Sequence, residues 1–297
     1  MQEFMRELYQ DRTGEPDTLA VIVAEKTRQD DAATDYFDSI LLVVKEAGEK
    51  SWEIKHYEYD NMKTAMHIVS TSQVEEWLAH SSNRRAIDWL LNGRIIFDRN
   101  EYMKNFKEKM IVFPVEERQT RIGMEFSKLV RRFADGKSLY YEGHYLDAFN
   151  QIVHALHHLA RLAVIERGYY PEVTVWQQVR QMEPEIHKLY SELVTGKEPL
   201  EKRLELLLLA NEFELATKMR MGSAHLLSIM EEKDEAWSVD ELKERVAFHD
   251  YSLDLSILLE YLVKRGLVDI KLEETKGRTI NHRKYIVDTY KKKVASH

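Results

Sequence analysis

The sequence predicts an α+β protein of several domains, because three stretches of different periodicity follow one another along the chain. Strand and helix signals alternate over residues 1–115, only helical periodicity remains over 116–220, and 221–297 combine short helices with a closing pair of strands. A length of 297 residues also exceeds what one small core supports, since domains of about 100 to 150 residues are usual. We therefore expect three domains: 1–115, 116–220 and 221–297.

Composition excludes several classes of protein. Hydrophobic residues make up 44% of the chain and charged residues 32%, which is typical of a folded globular protein. Cysteine is absent, so disulfides, thiolate nucleophiles and cysteine-ligated metal sites are excluded. The N-terminus is charged, and no apolar run reaches the roughly 20 residues that cross a bilayer, so we expect a cytoplasmic protein without a membrane partner. A net charge of -8 argues against a surface coated by nucleic acid but permits a local basic face.

The first 115 residues predict a small α/β unit of strands and helices with a mixed sheet. The apolar runs TLAVIVAE and SILLVVKE predict two buried strands, and SWEIKHYEYDNMKTAMHIVS predicts two more, with a turn at Asp60 and Asn61. Ser72 stands three residues before Glu75, which is the spacing of a capping box and predicts the start of a helix. Residues 94–97 then predict a short strand, which a turn and another helix follow.

Residues 116–220 predict an all-helical bundle. Apolar residues recur at spacings of three and four, and Gly136 and Gly168 stand where the C-terminal caps of two helices belong. Two further helices are predicted, one after Pro171 and one after Pro199.

The C-terminal residues predict three short helices and a β-hairpin. The helical segments are SAHLLSIMEEKD, SVDELKERVAF and SLDLSILLEYLVKRG, of which the second opens with a capping box at Ser238 and Glu241 and the third ends at Gly266. The stretch LVDIKLEETKGRTINHRKYIVDTY then predicts two strands joined by a turn at Lys276 and Gly277. This order is the plan of a winged helix-turn-helix domain.

Residues 18–113 resemble the nucleotidyltransferase fold of the DNA polymerase β superfamily, and the kanamycin nucleotidyltransferase type most closely. FDSILLVV, with Asp38, stands where that family has an Asp-x-Asp/Glu pair before an apolar strand, and MHIVSTSQVEEWL and GRIIFDRNEYM match its neighbouring strand and its closing strand. The helical segment behind also resembles the helical partner domain of such enzymes. The resemblance implies Mg²⁺-dependent transfer of a nucleoside monophosphate from a triphosphate to an acceptor.

The metal ligands are where the sequence departs from this family. Nucleotidyl transfer needs two Mg²⁺ ions and therefore about three carboxylates close together. Asp38 matches the first ligand, but Ile40 stands at the second position. The third position falls at Met66, His67 or Ile68, and imidazole is a poor ligand for Mg²⁺. We therefore predict a degenerate metal site in a catalytically inactive or weak protein that responds to nucleotides and acts as a regulator.

The phosphate-binding turn of the family is also replaced. Its Gly-Ser turn corresponds here to AEKTRQDDAAT, which has no glycine. Lys26, Thr27 and Arg28 remain candidate contacts for a nucleotide or phosphate. Three acidic residues on the same loop would oppose an anion: Asp30, Asp31 and Asp35.

Two other hypotheses stay open at this point. One is an active Mg²⁺-dependent nucleotidyltransferase in which Asp38 is joined by carboxylates from elsewhere, such as Glu58, Asp60 or Glu142. The other is a structural scaffold in which every site is vestigial. For Asp38 itself, a turn or strand-end cap explains its position as well as a residual metal or ligand role does.

Three histidines on one predicted helix of the bundle form a candidate metal site. His154 and His158 share a helical face, and His157 lies between them. There is no glutamate base between them as in His-Glu-x-x-His and no third ligand, so a packed or hydrogen-bonded interface is favoured over zinc.

Two further polar clusters occur in the bundle. SLYYEGHYLDAF holds Glu142 and Asp147, which the resemblance offers as general bases, although packing against the first domain is the favoured explanation. A basic run predicts either a solvated helix face or a phosphate-binding face, and it comprises Arg118, Arg121, Lys128, Arg131 and Arg132.

The winged helix carries the candidate nucleic-acid contacts on its wing. The helix that would enter the major groove has Asp254 and Glu260 and no basic residue before Lys264, which weakens direct base readout. Four basic residues of the wing are the candidates for phosphate contacts: Lys276, Arg278, Arg283 and Lys284. Use of the winged helix for homodimerisation is the alternative.

Overall fold

The computed structural model describes residues 2–26, 32–46, 50–80, 83–111, 115–246, 249–275 and 280–287. Thr27, Arg28, Asp30, Asp31, Lys276 and Arg278 lie outside these ranges. The chain divides into two compact units, Met1–Val112 and Phe113–His297. Among the described residues, no helix is both long enough and apolar enough to cross a membrane.

The N-terminal unit is built on a five-stranded mixed sheet. Its elements in chain order are α1 (Gln2–Gly14), β1 (Thr18–Glu25), β2 (Ser39–Lys45), β3 (Trp52–Tyr59), β4 (Met62–Ser70), α2 (Thr71–His80), α3 (Arg84–Asn92), β5 (Arg94–Asp98) and α4 (Tyr102–Ile111). The strand order is β3-β4-β2-β1-β5. Strands β2 and β4 are parallel, and the other neighbours are antiparallel. The predicted mixed sheet is confirmed.

The apolar runs of the sequence form the centre of this sheet. Strand β2 is buried on both faces from Ser39 to Val44, as its unbroken apolar sequence requires. On one face, buried β1 and β2 side chains pack with Leu8 and Tyr9 of α1. The predicted turn between β3 and β4 is also confirmed, because Asp60 and Asn61 both have positive φ, at 47° and 61°.

The predicted cap of α2 was misplaced. The helix begins at Thr71, and the Ser70 hydroxyl accepts a hydrogen bond from the Gln73 backbone at 3.2 Å. Ser72 is therefore inside the first turn, and Ser70, the last residue of β4, occupies the capping position. The sequence offered two serines two residues apart, and only the end of the strand decides between them.

The C-terminal unit combines the helical bundle with the winged helix. Its elements are α5 (Val115–Tyr141), α6 (Tyr145–Glu166), α7 (Val175–Met182), α8 (Pro184–Thr195), α9 (Leu200–Met230), α10 (Val239–Arg245), α11 (His249–Lys264), β6 (Val268–Glu274) and β7 (Asn281–Val287). One hydrophobic core runs from Ile122 in α5 to Tyr285 in β7.

Two predicted helix ends are wrong. Gly136 lies inside α5, where an added Cβ would be 2.8 Å from Ile152 Cδ1, so this glycine allows α5 to approach α6. The helix predicted to start after Gly222 does not exist, because α9 continues from Leu200 to Met230 as one helix of 31 residues. A Cβ on Gly222 would be 2.2 Å from Phe126 Cγ, so this glycine is again a packing requirement. The cap at Gly168, whose φ is 85°, is confirmed.

The winged helix-turn-helix plan is confirmed. Helix α10 starts with the predicted capping box of Ser238 and Glu241, and α11 ends before Gly266, whose φ is 73°. Strands β6 and β7 pair antiparallel from Val268 opposite Val287. Trp237 pairs with Tyr285 through backbone bonds of 2.7 and 2.8 Å and extends the hairpin by a third short segment.

Candidate functional site

Asp38 directly precedes β2 and is held there by residues at the ends of two neighbouring strands, β1 and β4. Its Oδ2 accepts a hydrogen bond from the Lys63 backbone at 2.7 Å, and its Oδ1 forms an ion pair with the Lys26 ammonium. Its own backbone N–H donates to the Lys63 carbonyl at 2.8 Å, and its carbonyl accepts from Lys26 at 3.1 Å. The hydrogen bond from Lys26, and then that from the Lys63 backbone, lower the pKa of Asp38. The carboxylate therefore connects the ends of β1, β2 and β4, which is a structural use of both its oxygens.

The second and third metal-ligand positions point into the core. Ile40 is fully buried, with Ala24 and Ala65 as its neighbours across the adjacent strands. Met66 is 1% exposed. His67 accepts a hydrogen bond from the Trp52 indole at 3.2 Å, and burial, together with the nearby His56, lowers its pKa to about 4. It is therefore a neutral core histidine.

The described residues of the N-terminal unit bring no further carboxylates into a metal-binding group with Asp38. In the described part of the chain, no group of three or more histidine, aspartate or glutamate side chains has a geometry that could hold a metal ion. Glu58 is opposite Lys63 in the β3–β4 register, and Asp60 is in the turn that follows. Glu142, in the other unit, accepts a hydrogen bond from the Ser138 hydroxyl at 2.9 Å. The residues present at Asp38 therefore do not fit the two Mg²⁺ ions that the fold family implies.

A cavity of about 470 Å³ lies beside the end of β1. Its wall contains Glu25, which accepts a hydrogen bond from Arg94 at 3.1 Å, and Asp88, which accepts one from Asn92 at 2.7 Å. Trp89 forms part of the wall and donates its indole N–H to the Ala33 carbonyl at 2.7 Å. These polar residues were missed by the sequence analysis, because they come together only when α3 packs beside β1. A small ligand fits a cavity of this size.

The loop after β1 has only part of its predicted phosphate contacts within the described structure. Lys26 is described and is paired with Asp38, while Thr27 and Arg28 lie outside the described residues. Asp35, predicted to oppose an anion, forms an ion pair with Arg85.

The three histidines of α6 do not converge on one site. His158 Nδ1 lies 2.7 Å from Glu125 Oε2, in a buried cluster with Arg161. His157 contacts the Trp176 ring at a centroid distance of 5.2 Å, and His154 is exposed. His157 and His158 therefore lie in packed and hydrogen-bonded helix interfaces, which is the explanation that was favoured over a zinc site.

The tyrosine-rich turn between α5 and α6 packs within its own unit. The Tyr140 and Tyr145 rings are 5.5 Å apart. A hydrogen bond to Glu201 of α9, followed by burial, raises the pKa of Tyr145. His144 is the N-cap residue of α6, and Asp147 is in the first turn of that helix. The turn therefore contacts the start of α9.

The basic run of α5 is used largely in contacts within the unit. Arg121 is buried, with its guanidinium 5.8 Å from the centre of the Tyr170 ring. Arg131 donates to Asp254 of α11 at 2.9 Å, and Arg132 donates to Gln151 at 3.0 Å. These contacts differ from the solvated or phosphate-binding face that the sequence predicts, because α6 and α11 cover much of α5.

Two of the candidate cations of the wing, Arg283 and Lys284, are described, and both are paired with acidic side chains. Arg283 donates to Glu260 of α11 at 2.7 Å, and Tyr285 donates to the same carboxylate oxygen at 3.0 Å. Lys284 lies 2.6 Å from Glu273. Both pairs are partly exposed, so they are accessible to a competing phosphate. The exposed side of α11 includes Leu253, which is 62% exposed.

Comparison with known families matches all three regions of the chain. Residues 1–118 match a family described as nucleotidyltransferase-like, 119–218 one described as a YgxA-like substrate binding domain, and 224–287 one described as a helix-turn-helix domain. The second and third matches divide at a position inside α9.

Two relatives extend over nearly the whole chain. The uncharacterized protein YgxA of Bacillus subtilis (strain 168) is 47% identical over 296 residues, which cover 100% of this chain and 99% of that protein. The crystal structure of a nucleotidyltransferase-like protein from Exiguobacterium sibiricum 255-15 has a TM-score of 0.75 at 37% identity and covers 97% of this chain and 99% of its own. The chain therefore belongs to the family of YgxA-like proteins, which join a nucleotidyltransferase-like domain, a YgxA-like substrate binding domain and a C-terminal helix-turn-helix domain.

Proposed function

We propose that this protein is a regulator that has kept the nucleotidyltransferase fold without its transfer chemistry. The observation that carries the proposal is the use of Asp38, whose two carboxylate oxygens are bound by Lys26 and by the Lys63 backbone. A catalytic metal would have to displace a lysine from one oxygen and would find Ile40, fully buried, at the next ligand position. The proposal therefore needs no Mg²⁺, and only the active-enzyme alternative does.

The ligand that we propose for the N-terminal domain is a nucleotide or another small phosphorylated compound. The cavity beside β1 has room for part of such a ligand and offers an arginine, two carboxylates and an amide for hydrogen bonding. Lys26, the residue after Glu25, is a candidate contact for this ligand, which would compete with Asp38 for its ammonium group. We expect ligand binding at this cavity to change the state of the helical and winged-helix domains. We also expect the protein to act in the cytoplasm.

Absence of nucleotidyl transfer is the expected result that tests this proposal. The purified protein, labelled nucleoside triphosphates and Mg²⁺ are incubated with small-molecule, tRNA and protein acceptors, and we expect no labelled product. Calorimetric titration with the same nucleotides should give binding of equal affinity in Mg²⁺ and in EDTA, because no metal bridges protein and phosphate. Transfer that disappears in Asp38→Ala would contradict the proposal, and so would binding that requires Mg²⁺.

We also propose that the wing of the helix-turn-helix domain contacts a nucleic-acid backbone. The support is the family of this domain and the two partly exposed ion pairs at Arg283 and Lys284. Phosphates compete well for such cations, because each contact releases condensed counterions from the nucleic acid. A role of the winged helix in homodimerisation remains the alternative.

Two opposite substitutions test the wing. Arg283→Ala is expected to weaken binding to duplex DNA and to lower the salt slope of log K by about 1, the value for one phosphate contact. Glu260→Gln is expected to strengthen binding, because it releases the Arg283 guanidinium from its carboxylate. Fluorescence anisotropy at several salt concentrations measures both, with Lys243→Ala on α10 as the control. Equal affinity of all three variants and the parent chain would contradict this use of the wing.

A further inference from the structure

Strand β3 is a long and open edge of the sheet. It pairs with β4 on one side only, through eight consecutive residue pairs without a bulge. Among the described residues, no backbone hydrogen bond from outside the sheet reaches residues 52–58. Its Trp52 and Ile54 side chains are 39% and 46% exposed. Strand β3 contains neither a proline nor a bulge, the two features that commonly block pairing with a further strand.

The other edge of the same sheet differs from β3. Strand β5 has five residues, and its register with β1 shifts between Val21 and Ile22. A short and irregular edge of this kind resists pairing with another chain. The contrast makes β3 the edge that is suited to a partner strand.

We infer that β3 pairs antiparallel with β3 of a second copy of this chain, about a twofold axis at Ile54, so that two five-stranded sheets become one. Closed twofold dimers are the commonest assemblies, and their interface must match itself. In an antiparallel strand pair, two residues that face each other point to the same side of the sheet. A twofold axis perpendicular to the sheet must therefore pass beside one residue, and that residue faces its own copy in the partner strand. The register is therefore fixed by the choice of one central residue.

The charges of β3 select Ile54 as that residue. With Ile54 at the axis, Glu53 faces Lys55 of the partner subunit, and this pair occurs twice. Trp52 faces His56 of the partner subunit, and the two Ile54 side chains, one from each copy, meet at the centre. Opposite charges placed directly across a strand pair stabilise it.

The neighbouring registers lack this match. An axis at Glu53 would set two glutamates against each other, and an axis at Lys55 would set two lysines against each other. An axis at His56 forms no pair of opposite charges within β3, because Lys55 then faces Tyr57 of the partner subunit. The exposed ion pair between Glu53 and Lys55 within one chain, at 3.4 Å, shows that both side chains are accessible from solvent.

This dimer is independent of the proposed function, since it uses neither the Asp38 region nor the winged helix. It joins the N-terminal domains of two chains. The tests of nucleotidyl transfer and of nucleic-acid binding can therefore give either result without changing the expected pairing of β3 in a dimer.

Cysteine cross-linking tests the axis directly, because the chain contains no cysteine of its own. Ile54→Cys is expected to form a disulfide-linked dimer under mild oxidation, since facing Cα atoms in an antiparallel pair are about 4.5 to 5.5 Å apart, within disulfide range. Glu58→Cys is the matched control on the same strand, because its two copies would be about 27 Å apart. A mixture of Trp52→Cys and His56→Cys chains is expected to cross-link again, because these two residues face each other across the axis. A failure of Ile54→Cys to link, or equal linking by Glu58→Cys alone, would overturn the proposal.

Charge reversal tests the register without a cross-link. Glu53→Lys and Lys55→Glu are each expected to raise the dimer dissociation constant about tenfold or more, and the double variant that exchanges the two charges is expected to restore it. Sedimentation velocity measures the dissociation constant, and thermal unfolding confirms that each variant is folded. A parent chain that stays monomeric at all concentrations, or a dimer that ignores both single reversals, would overturn the proposal.

Discussion

Ile40→Asp is expected to lower the free energy of unfolding of the N-terminal unit by about 3 to 5 kcal/mol without creating transferase activity. The substitution restores the Asp-x-Asp spacing of the family, but the new carboxylate would enter a fully buried position between Ala24 and Ala65. It would lose hydration there and gain no cation, because Lys26 is already paired with Asp38. Burial would raise the pKa of the introduced carboxyl, so the group would be neutral and a weak Mg²⁺ ligand. Chemical denaturation measures the loss.

Ile40→Val is the control for this prediction. It removes one methylene group at the same site and should cost about 0.5 to 1.5 kcal/mol, so the remainder in Ile40→Asp belongs to the carboxyl group. Mg²⁺ should leave the stability of both variants unchanged. Stabilisation of Ile40→Asp by Mg²⁺, together with nucleotidyl transfer, would show that the site is one substitution away from activity and would count against our reading of Asp38.

Glu125→Gln is expected to destabilise the C-terminal unit by about 3 to 5 kcal/mol. Glu125 is buried in α5, where its Oε2 accepts a hydrogen bond from Arg161 at 3.0 Å and lies 2.7 Å from His158 Nδ1. Burial alone would raise the pKa of Glu125, but the Arg161 charge and the His158 contact outweigh burial and lower the pKa to about 2. The amide keeps the shape and removes the charge, which leaves the Arg161 guanidinium buried and uncompensated. Thermal and chemical unfolding of the variant measure the cost, and Glu117→Gln, an exposed acid on the same helix, should change stability by less than about 0.5 kcal/mol.

The same cluster predicts the direction of a pH effect. The folded pKa of Glu125 is depressed below its unfolded value, so its contribution to stability is complete above about pH 4.5 and is lost as the pH falls toward about 2. The difference in stability between the parent chain and Glu125→Gln should therefore shrink over this range. A difference that stays constant down to pH 2 would show that the loss in Glu125→Gln does not come from ionisation of the carboxyl group.

Local sequence signals predicted the elements that form from neighbouring residues. The apolar runs of β1 and β2, the turn at Asp60 and Asn61 and the capping box at Ser238 all depend on short-range patterns, and all are present. Gly136 was wrongly predicted as a helix end, and a new helix was wrongly predicted after Gly222, because glycine has two uses that look alike in a sequence. One is the positive φ of a cap, and the other is the close approach of another helix, as Ile152 and Phe126 require here.

The candidate site depended on contacts that no local pattern contains. Asp38 was found from its spacing to β2, but its partners come from 12 and 25 residues away in the chain. Lys26 was predicted as a phosphate contact, and no local pattern showed that its ammonium group pairs with Asp38. In the same way, Arg283 was predicted as a phosphate contact of the wing, and its hydrogen bond to Glu260, 23 residues earlier, was not foreseen. Both ion pairs join residues that are distant in sequence, so a local pattern identifies the charged residues but not their partners.

Helix α9 has a mechanical consequence for the helix-turn-helix domain. One helix of about 46 Å, by its 31 residues, begins in the bundle and ends in the winged helix, so the two regions share a rigid rod and no flexible linker. The contact of Arg131 with Asp254 braces the same junction from α5. A ligand that tilts the first turns of α9 would therefore also tilt the winged helix at the other end of the same helix. Local unfolding of α9, which amide hydrogen exchange detects, would loosen both regions together. Signals within this unit would travel as changes of orientation.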